Sequence, residues 1–159
     1  MLPTLRLPPR IKVLEALGAI ADGRVECVND KCVFARVASS EGDRVYRVYV
    51  DVEKGVAYSD DNGTRLRGYV GYPLIAVLML QGVLPFDERL SEALKGVPWR
   101  RLNEKYKRYA IVEDVVKRIA SERGVKPEEI ERFLHRVMEK LRSLRLKRLE
   151  SPPLDAWSG

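Results

Sequence analysis

RVECVNDKCVFARVASSEGDRVYRVYVDVEKGVAYS, residues 24–59, reads as four short strands. Runs rich in β-branched and aromatic residues, Arg24 to Val28, Lys31 to Ala38, Arg44 to Val52 and Val56 to Ser59, are separated by Asn29-Asp30, by Ser39 to Asp43 and by Glu53-Lys54-Gly55. Those separators are the polar and glycine residues that turns require. Connections so short leave no room for a crossover, so neighbouring strands pair antiparallel. Period-two alternation then assigns faces: Tyr46, Val48, Val50 and Val52 share one side of the third strand, and Arg47, Tyr49 and Asp51 the other. In the second strand Val33, Ala35 and Val37 oppose Cys32, Phe34 and Arg36. The valine side is expected to meet helices. Phe34, Arg36, Arg47 and Tyr49 form a second face, either a surface covered by a later helix or a ligand platform.

Helical periodicity fills the rest of the chain. Pro8-Pro9 introduce a helix carrying Ile11, Leu14, Leu17 and Ile20 up to Asp22-Gly23. Ser59 to Thr64, with Asn62-Gly63, reads as a turn, its carboxylate spacing being unlike a calcium loop. Leu74 to Gln81 is apolar nearly all round, as a central buried helix would be, and a short helix follows around Asp87 to Lys95. From Trp99 to Arg123 a single long amphipathic helix is predicted, with Leu102, Tyr106, Tyr109, Val112, Val116 and Ile119 on its inner face and a basic stripe of Arg101, Lys105 and Arg108 beside it. After Gly124, Pro127 opens a last helix whose Ile130, Leu134, Val137, Leu141 and Leu144 follow heptad spacing. That seam packs either on its own domain or against a second copy. The expected architecture is therefore α+β: a small four-stranded antiparallel sheet packed with helices, followed by a long C-terminal helical segment. Residues 1–124 would form the sheet-and-helix domain, 125–150 a basic heptad helix and 151–159, with Pro152-Pro153 and Trp157, a tail.

The cysteines and the charges narrow the function. If Asn29-Asp30 make a two-residue hairpin, Cys27 and Cys32 face each other across it and a disulfide is permitted. One Gln and three Asn among 159 residues, a third of them charged, match the bias of hyperthermophile proteins, in which intracellular disulfides are common. The prolines of the first nine residues interrupt any signal helix, and no apolar run is long enough for a membrane span, so a cytoplasmic setting is expected. Residues 1–98 carry 13 basic and 13 acidic side chains, and residues 99–159 carry 16 and 10, so the whole net charge of +6 comes from the C-terminal part. A field of that sign favours a polyanion. Catalytic motifs are missing: His135 sits among Arg132, Arg136 and Lys140, two cysteines and one histidine cannot close a zinc site, and no nucleophile or phosphate-cradling motif appears. Binding without a cofactor, metal or enzymatic step is the expectation.

Five of the seven tyrosines lie between Arg44 and Tyr72, interleaved with arginine. Rings beside guanidinium groups stack bases and neutralise phosphates without reading sequence. The N-terminal helix, the small sheet, the stretch YSDDNGTRLRGYVGY at residues 58–72 before an apolar helix, and the basic leucine-bearing C-terminal helix together resemble the ThermoDBP family, single-stranded DNA-binding proteins of the Thermoproteales and their archaeal relatives. The resemblance implies sequence-independent binding of single-stranded DNA in a cleft between sheet and helices, and a homodimer through the C-terminal helix. The face assignments nominate Phe34, Arg36, Arg47 and Tyr49 from the sheet, Arg65, Arg67 and Tyr69 from the following loop, and Arg100, Arg101 and Lys105 from the long helix. Dimerisation would fall to Ile130, Leu134, Val137, Leu141 and Leu144. RNA binding, a dimeric duplex-DNA regulator and a protein-interaction module without nucleic acid are the rivals.

Overall fold

The computed structural model describes residues 1–153. Four strands, β1 (Val25–Cys27), β2 (Phe34–Ala38), β3 (Val45–Asp51) and β4 (Val56–Ser59), pair antiparallel in chain order. A fifth, β5 (Lys147–Arg148), joins β4 in parallel and makes the sheet mixed. The helices are α1 (Ile11–Ala21), α2 (Asn62–Arg65), α3 (Tyr72–Leu80), α4 (Glu88–Ala93), α5 (Trp99–Tyr106), α6 (Tyr109–Glu122) and α7 (Pro127–Ser143). All of α2 to α7 lies between β4 and β5, the long crossover that parallel pairing requires.

The predicted valine side does face the core. Ala35, Val37, Val48, Val50 and Ala57 are fully buried, and α3 packs across them. Gln81, just past α3, donates from Nε2 to the carbonyls of Cys32 and Val50, at 2.9 and 3.0 Å. Pro73 opens α3 where no backbone N–H is needed, and Leu74 to Leu78 are buried all round. Beneath it α1 buries Ile11, Val13, Leu14 and Leu17.

Several boundaries differ from the sequence reading. The predicted fourth-strand limit holds, but β2 starts at Phe34. The Cys32 N–H reaches the Asn29 carbonyl and the Val33 N–H the Asn29 side chain, which closes a wider loop than a two-residue hairpin. Cys27 and Cys32 are nonetheless joined as a disulfide, with Cys32 at φ 56°. Asn62-Gly63 is not a left-handed turn: Asp61 caps the first turn of α2 by accepting from the Thr64 N–H, and the positive φ falls at Gly68. The single helix expected over 99–123 is two, because Lys107 takes φ 58° and ends α5 with its N–H on the Asn103 carbonyl. Tyr106 is half-buried against the core, whereas Tyr109 is exposed and is not the core residue expected.

The last helix also ends early. The chain turns extended at Leu144, and Leu146 is buried beside the N-terminal segment, whose Leu5 N–H donates to its carbonyl. Ile130, Leu134, Val137 and Leu141 are buried against this chain's own core and Leu144 is half-buried against it. Of the two fates open to the heptad seam, the structure shows packing on its own domain. A homodimer through those side chains would have to empty that core, and a boundary at residue 124 does not separate two cores. No helix among the described residues is long and apolar enough to cross a membrane. Trp157 and residues 154–159 of the expected tail lie outside the described residues.

Candidate functional site

A cleft of about 400 Å³ opens between the β2–β3 connection and helices α1 and α5. Its rings are Tyr46, Tyr72 and Trp99. Tyr46 lies on the same face of β3 as Val48, but one step nearer the open end, where α3 begins. Tyr72, the first residue of α3, meets it edge to face with ring centroids 6.3 Å apart. Arg24, held by its hydrogen bond to the Ala38 carbonyl, sets its guanidinium over the Tyr72 ring at 6.0 Å. Burial pushes the pKa of the Tyr72 hydroxyl up, so the ring stays neutral.

The wall formed by Tyr46 and Tyr72 is shared with a smaller hollow lined by Lys12, Asn62 and Tyr69. The two hollows thus meet at the Tyr46 and Tyr72 rings, with Lys12 lining one and Arg24, Arg100 and Lys107 the other. Arg100 makes a bidentate pair with Asp43, at 2.9 and 2.5 Å, which ties α5 to the β2–β3 turn. That pairing holds the Asp43 carboxyl well below the usual carboxylate range, with a hydrogen bond from Ser39 adding to it.

Trp99 reaches the wall because Gly18 leaves room for it. A Cβ on Gly18 would stand 2.7 Å from the indole nitrogen. The floor is polar and incompletely satisfied: Glu15 is only 4% exposed. Its Oε1 accepts from Lys12 at 3.3 Å and from Asn103 at 3.4 Å. The Trp99 Nε1 and Asn103 Oδ1 atoms are buried without a hydrogen-bond partner. Buried polar atoms are nearly always paired, so this cluster is atypical of a structural core.

Residues 5–147 match the family model described as Uncharacterised conserved protein UCP014422. The chain belongs to this family. The UCP014422 match takes in β1 to β4 and every residue named around the two hollows. No curated protein and no solved structure matches the chain.

Within this UCP014422 chain the ten nominated side chains are scattered rather than gathered in one cleft. Phe34, Arg36, Arg47 and Tyr49 lie on the face of the sheet turned away from the helices. There Phe34 and Tyr49 pack ring to ring at 4.7 Å, Tyr49 pairs across to Tyr58, and both tyrosines are buried, at 5% and 8% exposure. Arg36 forms an ion pair with Glu26, and Arg47 with Asp60. Arg65 and Arg67 are exposed around α2, their carbonyls accepting from Arg148 and Arg6. Tyr69 is buried, lines the smaller hollow, and has its hydroxyl pKa pushed up by burial, with Tyr109 adding to it. Arg100 lines the cleft, Arg101 a neighbouring hollow near Arg24, and Lys105 is exposed beside Tyr106.

The reason is the alternation itself. Tyr46 and Tyr49, three residues apart, point to opposite faces, and α3 packs on the face of Tyr46. A cleft between sheet and helices must therefore use Tyr46, which the alternation assigned to the core side, and Tyr72, which was not among the nominated residues. Glu15, Arg24, Trp99 and Asn103 were missed altogether. The one available signal was Glu15, a carboxylate within the otherwise apolar face of α1.

Proposed function

We propose that this protein binds single-stranded DNA in the hollows that meet at Tyr46 and Tyr72, by stacking bases on the rings and setting phosphates on the cations that line them. The observation that carries the reading is the meeting of two hollows at two half-buried tyrosines, with Lys12 lining one and Arg24, Arg100 and Lys107 the other. Rings plus cations suffice for binding that tracks a strand without reading it. The excess positive charge after Trp99 supplies the longer-range attraction. The resemblance to the ThermoDBP family supports the same reading. The far face of the sheet serves it less well, since Tyr49 and Tyr58 are already buried. RNA shares the chemistry of rings and phosphates, and matched DNA and RNA oligonucleotides in competition separate the two.

The test is titration of a fluorescent single-stranded oligonucleotide at several salt concentrations. If the four cations each neutralise a phosphate, affinity falls with salt at a log–log slope of about 3. Tyr46→Ala should weaken binding by about 5- to 150-fold, the equivalent of about 1–3 kcal/mol for one stacked base. Absence of binding by the wild type at low salt would reject the proposal. Binding that is unchanged in Tyr46→Ala would move the site elsewhere.

A further inference from the structure

We infer that the cleft holds one subsite that prefers guanine, with Glu15 as the group that reads the base edge; this rests on the single-stranded DNA reading of the same cleft. Glu15 is the starting point because its ion pair with Lys12, at 3.3 Å, engages one of its two oxygens. It stands on α1 among Leu14, Ala16 and Leu17, all fully buried. A buried carboxylate is costly unless it is closely paired. Yet both of its hydrogen bonds, from Lys12 and Asn103, are long and converge on Oε1. Its second oxygen accepts no hydrogen bond among the described residues, and the residue lines the cleft.

Asn103 extends the acceptor set. Its amide donates to Glu15, which leaves Oδ1, buried and without a partner, as a further acceptor in the same wall. The cleft floor thus offers oxygen acceptors beneath two rings. A ligand that completes it brings adjacent N–H donors on a flat, stackable body, and its volume fits the range of small-molecule pockets.

Among the bases guanine fits this set best. Its edge carries N1–H and the N2 amino group side by side, two donors that a carboxylate accepts together. Thymine and uracil place carbonyl oxygens on both sides of their single N–H, and those oxygens would face the Glu15 carboxylate. Cytosine brings only its N4 amino group, and adenine only N6. Recognition of an unpaired base by its Watson–Crick edge while its faces stack is the general mode for single strands.

The experiment compares oligothymidylate 12-mers carrying at their centre a single dG, deoxyinosine, dC or dT, titrated into the full-length protein by fluorescence anisotropy. The dG strand should bind at least about fivefold tighter than the all-dT strand, with deoxyinosine, which lacks the N2 amino group, losing much of that gain. Glu15→Gln should bring the dG and dT strands together, and its melting temperature checks that the fold is intact. Asn103→Ala, which leaves the carboxylate in place, should reduce the preference in part. Equal affinity for all four strands, or a dC strand at least as tight as dG, overturns the guanine subsite and leaves single-stranded binding standing. A preference that survives Glu15→Gln overturns the role of Glu15. No binding of any strand removes both readings.

Discussion

Gly18→Ala probes the wall of the cleft through a single methyl group. Gly18 lies inside α1, where alanine is ordinarily more stabilising than glycine by about 1 kcal/mol. Here the added Cβ would stand 2.7 Å from Trp99 Nε1, well inside van der Waals contact, and the indole can retreat only into the packed wall. Overpacking of a filled core costs about 1–3 kcal/mol. The balance is therefore neutral to unfavourable, down to about 2 kcal/mol, or a melting temperature lower by up to about 8 °C at about 2–4 °C per kcal/mol for a chain of this size. Thermal unfolding followed by circular dichroism measures it. A cycle with Trp99→Phe isolates the contact: once the indole nitrogen is gone, Gly18→Ala should become stabilising. A wild-type background in which Gly18→Ala raises the melting temperature by about 2–4 °C would show that the helix position is open and the close approach of Trp99 is wrong.

Three further outcomes follow from other parts of the molecule. Reducing the Cys27–Cys32 disulfide, which closes a loop with a sequence separation of 5, should cost about 2 kcal/mol by loop entropy, and a melting temperature unmoved by reductant would refute it. Truncation after Gly124 removes Ile130, Phe133, Leu134, Val137 and Leu141 from the core, at about 1.5–3 kcal/mol each, so the shortened chain should be unfolded by circular dichroism; a folded product would contradict that packing. Arg10, and then Lys117, hydrogen-bond Glu131 and lower its pKa from 4.5 to about 2. Because the folded-state value is depressed, that stabilisation is complete above about pH 4.5 and is lost as the pH falls toward 2. Wild type should therefore lose more stability than Glu131→Gln between pH 6 and 2.5, and equal losses would show that the ion pairs linking α1, α6 and α7 contribute nothing.

The sheet was readable because alternation in β2 and β3 is strict and the separators are short. Its fifth strand was not, since Leu144 to Leu149 follows α7 with neither glycine nor proline, and the basic residues continue without a change in composition. The break at Lys107 was equally silent: Leu102, Tyr106, Tyr109 and Val112 keep helical spacing across it. Periodicity also placed Tyr46 correctly on the helix-facing side, but it carries no information on depth along a strand. The difference between core and cleft at Tyr46 is set by where α3 begins and where α5 ends, which only the assembled fold determines. Alternation sets Phe34 and Tyr49 on the second face, and Tyr58 stands opposite Tyr49 on the neighbouring strand, a pairing that only the register fixes.

Photo-crosslinking of a single-stranded oligonucleotide bearing iododeoxyuridine tests the central claim most directly, because the adduct forms preferentially on an aromatic ring stacked against the base. Mapping by mass spectrometry should place the adduct on Tyr46 or Tyr72, and Tyr46→Ala should shift or abolish it. Adducts confined to Phe34, Tyr49 or Tyr58 on the opposite face of the sheet, or none at saturating protein, would contradict a binding path between the sheet and the helices.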